Sequence, residues 1–499
     1  MSAARAEPGE TGVAFGTAPG RWVLAVAVAG SGMVFLDGTV VNVALPDIGR
    51  DLGASTSALQ WILNGYLLTL ASLILLGGSL GDRYGRRRVF VLGTGMFTVA
   101  SLLCSVAPSS GLLIAARMLQ GVGGALLTPG SLAMIEAGFR QQDRSRAIGA
   151  WSGLGGVATA LGPLLGGYLV DAVSWRAVFV INLPLGIFVM VAATRHVPET
   201  RDPGAAGRLD AAGAALAALG LAGTTYALIE APGKGMSAAI AVTAVGGVLA
   251  LVAFVVRERT AENPMMPLGM FSSRQFSAAN LVTFAVYAAL SGFFFLFVSF
   301  LQISLGYTPI AAGAATLPVT ALMLLLSARS GALAQRIGSR IPLTVGPLVI
   351  AAGLLLMTRI KPGDAYVSGV LPAVVVFGLG LTLVVAPVTA TVLAAADEHH
   401  AGIASGINNA VSRVAGLLAV AVLPLLAGIT GDSFYNPSKM THGFHVAMVW
   451  CAALAALGGV IAWLTISSGV RGAGEPCFSC DVAGTPLRRL RHGAAVGTR

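Results

Sequence analysis

Gly78-Ser79-Leu80-Gly81-Asp82-Arg83-Tyr84-Gly85-Arg86-Arg87-Arg88 stands between two apolar runs, 57–77 and 89–107. Its glycines permit a tight turn, and its arginines favour an aqueous, anionic membrane face. Each flanking run is close to the ~20 apolar residues that a helix needs to cross a hydrocarbon core about 30 Å thick. Working outward, further runs fall near 22–44, 110–134, 146–169, 176–194, 210–229, 237–256, 276–301, 309–328, 341–358, 366–392, 403–428 and 443–467, fourteen in all. They are continuous rather than alternating, so they read as helices and not as strands of a membrane barrel.

Composition agrees. Hydrophobic residues make up 56% of the 499 and charged residues 10%, with a mean hydropathy of +0.82. A soluble domain carries about 25% charged residues. A soluble enzyme, a disordered chain and a coiled coil are therefore excluded. The net charge of +10 would point to nucleic acid in a soluble protein. Here the charges sit in short connections, and topology accounts for them without a nucleic-acid partner.

An even number of spans puts both termini on one side, and the basic residues say which. With cytoplasmic termini, the inner segments hold 23 Lys and Arg, the outer segments six, and two, Arg117 and Arg413, lie inside helices. The bias to arginine over lysine, 28 to 3, beside many Ala and Gly, suggests a GC-rich bacterial genome. The expected location is thus a bacterial cytoplasmic membrane, multi-pass, with both termini inside.

Gly331, Leu333, Arg336 and Gly338 repeat the spacing of Gly78, Leu80, Arg83 and Gly85 eight runs later. The repeat predicts an all-α polytopic protein of two six-helix bundles. The expected segments are a cytoplasmic tail 1–21, a first bundle 22–195, two additional helices 196–258, a second bundle 259–467 and a basic tail 468–499. In that last tail, Arg488, Arg489 and Arg491 suit an anionic inner leaflet. Cys477 and Cys480 form half of a zinc site with no second pair nearby, so no metal is expected.

The 78–88 segment resembles the cytoplasmic loop signature of the major facilitator superfamily, with Gly78, Asp82, Arg83, Gly85 and Arg86 in register. Leu36-Asp37-Gly38-Thr39-Val40-Val41-Asn42 resembles the first-helix motif of the drug–proton antiporters of that superfamily. Arg117, Gln120, Gly121, Gly123 and Gly124 are similar to its proton-coupling motif. Gly162, Pro163, Gly166 and Gly167 resemble its antiporter motif, with Ala158 where the family has a leading glycine. Trp175, Arg176, Phe179, Asn182 and Pro184 look like the helix-6 opening of its fourteen-helix branch. The resemblance spans about 22–467 and is nearest to multidrug, quaternary-ammonium and antibiotic efflux pumps. It implies the major facilitator fold and proton-driven export by alternating access. It also implies that Asp82 latches the outward-facing state near Gly402, and that helices 1 and 4 touch.

Intramembrane charges carry the residue-level reading. A charge at a helix centre costs roughly 2.5–3.5 kcal/mol, which makes it a functional candidate. Asp37, Arg117 and Arg413 alone stand well inside runs. At ~1.5 Å per residue, Asp37 lies roughly 23 Å from the inner face and Arg117 roughly 10 Å from the outer one, at similar depth. Burial favours a neutral carboxyl and a nearby guanidinium favours an ionised one. An acid between these influences can exchange a proton, so Asp37 is the expected proton carrier and Arg117 its modulator. The other reading of the pair is a static salt bridge. Gly162, Pro163, Gly166 and Gly167 remove bulk and one backbone donor, which suits a gate. Asn64, Tyr66, Gln120, Asn280, Phe284, Tyr287, Asn408, Asn409 and Arg413 offer aromatic bodies and polar tips for an amphiphilic cargo. Phe293-Phe294-Phe295 reads as lipid-facing or bundle core, and Glu230 as an interfacial residue. Arg413 has no local acid and is expected on backbone carbonyls or on an anionic group of the cargo.

No acid occurs from 263 to 363, and none lies inside the last six runs. The expected cargo is therefore small, lipophilic, and neutral or monocationic. The sequence lacks a G-x-x-x-x-G-K-[ST] phosphate loop, an H-E-x-x-H zinc motif, a plausible triad and a pore ring. An ATP-driven pump, an enzyme and a channel are thereby disfavoured, no cofactor is expected, and a monomer is. The remaining alternative is the same fold moving an endogenous metabolite, a self-made antibiotic or a lipid precursor.

Overall fold

The computed structural model describes residues 12–201, 210–262, 264–395 and 401–467. The tail arginines, Cys477 and Cys480 lie outside the described residues. Fourteen helices among them are long and apolar enough to cross a membrane. In the first half these are α1 Ala18–Leu52, α2 Thr56–Tyr84, α3 Arg86–Ser105, α4 Ser110–Gly138, α5 Gln141–Ala172 and α6 Ala177–His196. Between the halves stand α7 Ala211–Lys234 and α8 Ala238–Thr260. The second half holds α9 Arg274–Ile303, α10 Pro309–Ile337, α11 Arg340–Met357, α12 Tyr366–Ala394, α13 Gly402–Leu426 and α14 Pro437–Thr465.

Local chemistry sets the ends. Thr17, Ser55, Ser109, Ser237, Ser273 and Asn436 each accept a backbone N–H of the first turn that follows. Between α2 and α3 the chain turns at Gly85, with φ 113°, and a Cβ there would stand 2.7 Å from the Glu199 carboxylate. Gly338, with φ 85°, turns the chain at the equivalent place between α10 and α11. The repeated loop therefore has a backbone cause: both positions adopt a conformation that side chains oppose.

In the first half α1 packs on α4, α5 and α6, and α4 on α2 and α3. In the second, α9 packs on α13 and α14, and α12 on α10 and α11. The α7–α8 hairpin leans through α7 on both α2 and α13, where Leu68, Ala71, Leu221 and Leu417 share one apolar cluster. The outer side of α8 is exposed at Val242, Val248 and Val252, as a lipid-facing helix requires.

The halves meet most tightly at the end that bears residues 43–60. There Gln302 Nε2 donates to the Val43 carbonyl (2.9 Å), Thr56 Oγ1 to Gly431 (2.6 Å), Gln60 Nε2 to Val420 (2.8 Å) and the Tyr435 hydroxyl to Ala54 (2.6 Å). An apolar core runs across this junction, from Val40, Leu45 and Leu59 to Phe297, Phe300 and Phe444. Toward the terminal end α2 and α13 stay in contact, as Leu75 beside Gly406 shows. On the opposite flank, Gly149, Gly153 and Gly156 of α5 have nothing within 4 Å of a built Cβ. The molecule is thus closed at one end, and at the other these α5 glycines stand exposed.

Candidate functional site

Asp37 on α1 and Arg117 on α4 are each 1% exposed. Gly30 of α1 receives the Phe90 ring, and small residues along α4 let the helices of this bundle close in. Arg117 donates to Asp37 Oδ2 and to Gln120 Oε1, each at 2.5 Å, and through Nε to the Ile62 carbonyl at 3.1 Å. The Tyr66 ring lies 4.2 Å from its Cζ, so the cation has an aromatic face as well as its anion. Asp37 Oδ1 accepts from Gln120 Nε2 (2.8 Å) and from Asn182 Nδ2 (3.3 Å). Ser101 Oγ accepts from the same two amides, at 2.9 and 3.3 Å.

The carboxylate, carried by α1, is therefore held by Arg117 and Gln120 of α4 and by Asn182 of α6, and Ser101 of α3 fixes the two amides. Ser101 and Asn182 were missed as site residues by sequence reasoning. Asn182 stands inside the quoted helix-6 motif, which was the available signal. Ser101 left none, because one serine in an apolar run is unexceptional. Gln120, expected in the cargo pocket, is fully buried and committed to the carboxylate.

The other expected pocket residues divide. Asn280 Nδ2 donates to the Phe276 carbonyl, and Asn408 Nδ2 donates to Asn280 Oδ1 (3.2 Å) and Thr283 Oγ1 (2.8 Å). These two amides stitch α9 to α13. Phe284 and Tyr287 pack partly buried against the main core, while Phe293 and Phe295 lie wholly within it. Asn409 is half-buried on α13. Asn64 is fully buried, yet neither side-chain polar atom has a partner. Arg413 is half-buried, and its Nε is shielded and unpartnered. Glu230 accepts from Trp61 Nε1 and pairs with Lys234, both at 2.9 Å.

The glycines of α5 face two ways. A Cβ at Gly162 would collide with Thr39, and one at Gly166 would stand 3.1 Å from the Val40 carbonyl, both on α1. One at Gly167 would stand 2.5 Å from the Pro309 carbonyl of α10, and one at Gly313 would collide with the Pro163 carbonyl. Close approach across the bundles thus runs through Pro163 and Gly167, and close approach within the first bundle through Gly162 and Gly166.

In the loop, Asp82 pairs with Arg86 at 2.8 Å, and Arg83 lies over the Tyr84 ring. Gly78 faces Pro129 of α4. At the start of α13 the group within 4 Å of a Cβ on Gly402 is the Glu136 carboxylate, at 3.9 Å. The expected approach of Asp82 to Gly402 is not present in this arrangement, because Asp82 is turned onto its own loop. Among the described residues no cluster of His, Cys, Asp and Glu could hold a metal ion.

A puromycin resistance protein of Streptomyces alboniger is 36% identical over 487 residues, covering 94% of this chain and 96% of the relative. A methylenomycin A resistance protein of Bacillus subtilis is 35% identical, with 89% and 94% covered. A tetracenomycin C resistance and export protein of Streptomyces glaucescens is 37% identical, with 83% and 77% covered. Among solved structures, the POT family transporter PepTSo superposes with a TM-score of 0.63 at 14% identity, covering 89% of this chain and 97% of that one. A D-xylose–proton symporter gives 0.62 at 14% identity, with 90% and 98% covered. The profile of the Major Facilitator Superfamily matches residues 27–420, and this polytopic helical chain belongs to that superfamily.

Proposed function

We propose that the protein exports small lipophilic compounds, antibiotics among them, across a bacterial cytoplasmic membrane in exchange for protons. The observation that carries this reading is Asp37: a carboxylate inside a membrane helix, shielded from water, held by one cation and two amides. Such a group is costly in hydrocarbon and is retained where it moves charge. Half-buried Leu36, Gly38 and Thr39 flank it on the α1 face toward α5, so a proton can arrive when the bundles rock. The resistance and export proteins that this chain resembles support the outward direction of transport.

The energetics suffice. One proton crossing ~100 mV releases about 2.3 kcal/mol, which sustains roughly 1.6 decades of cargo gradient. The test is a drug-susceptibility panel in a pump-deleted host, followed by transport in proteoliposomes under an imposed ΔpH. Export that requires ΔpH in the wild type and is lost in Asp37→Asn, at equal expression, is the expected result. Export indifferent to both ΔpH and voltage would overturn the exchange. A second reading, export of a compound made by the same cell, is favoured by the relative named for tetracenomycin C resistance and export. A panel of self-made products would separate the two.

A further inference from the structure

Arg413 is an oddity that proton exchange does not absorb. It sits on α13 at the level where α2 packs against that helix, with Leu67 beside Gly416. The intramembrane acid Asp37 is already paired to Arg117, and Tyr66 of α2 lies against that arginine, with its ring 4.2 Å from the Cζ. Among the described residues Arg413 has no ion pair, and its Nε has no hydrogen-bond partner. Helices α9–α14 contain no Asp or Glu that could supply one. Asn64, on the same α2 face as Gln60, is a second buried side chain with its donor and its acceptor both unused.

An unpaired guanidinium in a membrane bundle is unfavourable unless something else completes it. Five donors in a planar fork match a carboxylate, an enolate or a phenolate. We propose that Arg413, with Asn64 beside the same seam, binds an acidic group of the cargo, so that the transported species is an amphiphilic organic anion. This deepens the export reading and rests on it. It also sets aside the monocationic cargo expected from the sequence: the missing acids of the second half leave this arginine in charge of the site, and a cation would be repelled by it.

The test uses the full chain in nanodiscs and three probes of one skeleton: pyrenebutyrate, pyrenebutanol and pyrenebutylammonium. Binding is read by energy transfer from tryptophan to pyrene, with no gradient present. The expected order is carboxylate, alcohol, ammonium, with at least about tenfold between first and last. Arg413→Gln removes the preference, and Arg413→Lys keeps it. Because Arg413→Gln deletes an unpaired charge, the empty variant melts no lower than wild type, which separates lost binding from lost folding. Failure of the carboxylate to bind, equal affinity for all three, or a preference that survives Arg413→Gln would overturn the proposal. Proton-driven export with no carboxylate preference overturns the anion site alone. A carboxylate preference in a protein whose export ignores the proton gradient supports the anion site and overturns the exchange.

Discussion

Asp37 and Arg117 lie at 1% exposure in a low-dielectric bundle, so neither tolerates loss of the other. Removing one partner of a buried pair costs about 3–5 kcal/mol, because an unpaired charge remains, whereas removing both can be nearly neutral. Asp37→Ala and Arg117→Leu are each expected to lower thermal stability in detergent strongly. The double variant Asp37→Ala/Arg117→Leu is expected to recover at least about 2 kcal/mol of the summed loss. Additive losses in a double-mutant cycle measured by thermal unfolding would show that the pair does not share its energy. At this scale the charges were readable and their partners were not. An Asp or Arg inside an apolar run is anomalous in any sequence, and the 1.5 Å rise placed both at one depth. Asn182 reaches Asp37, and Ser101 reaches the Asn182 and Gln120 amides, only because α6 and α3 turn toward the carboxylate, and nothing in a one-dimensional pattern states where a helix points. The same limit put Gln120 in the cargo pocket and hid the unpartnered state of Asn64.

Helix α5 separates two kinds of glycine that look alike in sequence. At Gly167 an added Cβ meets the Pro309 carbonyl at 2.5 Å and the Ile310 Cα at 2.7 Å, backbone atoms that cannot rotate away. At Gly156 it meets nothing within 4 Å. Gly167→Val is therefore expected to hold α5 off α10 at the closed end and to cut transport at least about tenfold, a barrier change near 1.4 kcal/mol, with membrane expression retained. Gly156→Ala is expected to transport as wild type. Comparable activity of both variants in proteoliposomes would refute the assignment of α5–α10 contact as a gate. The fourteen elements themselves were legible, because the bilayer fixes the length of each apolar run. Breaks inside them were not: α6 is interrupted at Ile181 and α10 after Ala314, where hydropathy stays high and only the hydrogen-bond pattern changes. Likewise Asn280 and Asn408 read as cargo groups, yet α9 and α13 use them to bind each other.

For the molecule as a whole, the closed end is held by few polar contacts. Four side chains, Gln302, Thr56, Gln60 and Tyr435, hydrogen-bond across the halves near residues 43–60, each bond worth about 1 kcal/mol net. The apolar core that crosses the same junction adds to these bonds, so opening it needs compensating contacts at the terminal end, where Asp82 is at present spent on Arg86. Two structures of similar energy are what alternating access needs. If Asp82 serves as the latch that the family resemblance implies, Asp82→Asn should slow transport without changing the contacts at the closed end. A lock applies the same reasoning in reverse. Ser57 on α2 and Thr430 after α13 line one cleft of about 120 Å³ at the closed end, on opposite halves of the molecule. Cysteines at both positions, bridged by a short methanethiosulfonate linker, should fix the halves together. Cys104 and Cys451 are buried, and Cys477 and Cys480 would be replaced by serine. Transport is expected to fall below about a tenth of the unbridged value and to return on reduction, while either single cysteine treated alike stays active. Full turnover with the bridge in place would mean that cargo crosses without the halves parting here, and the rocking motion would have to be assigned to another seam.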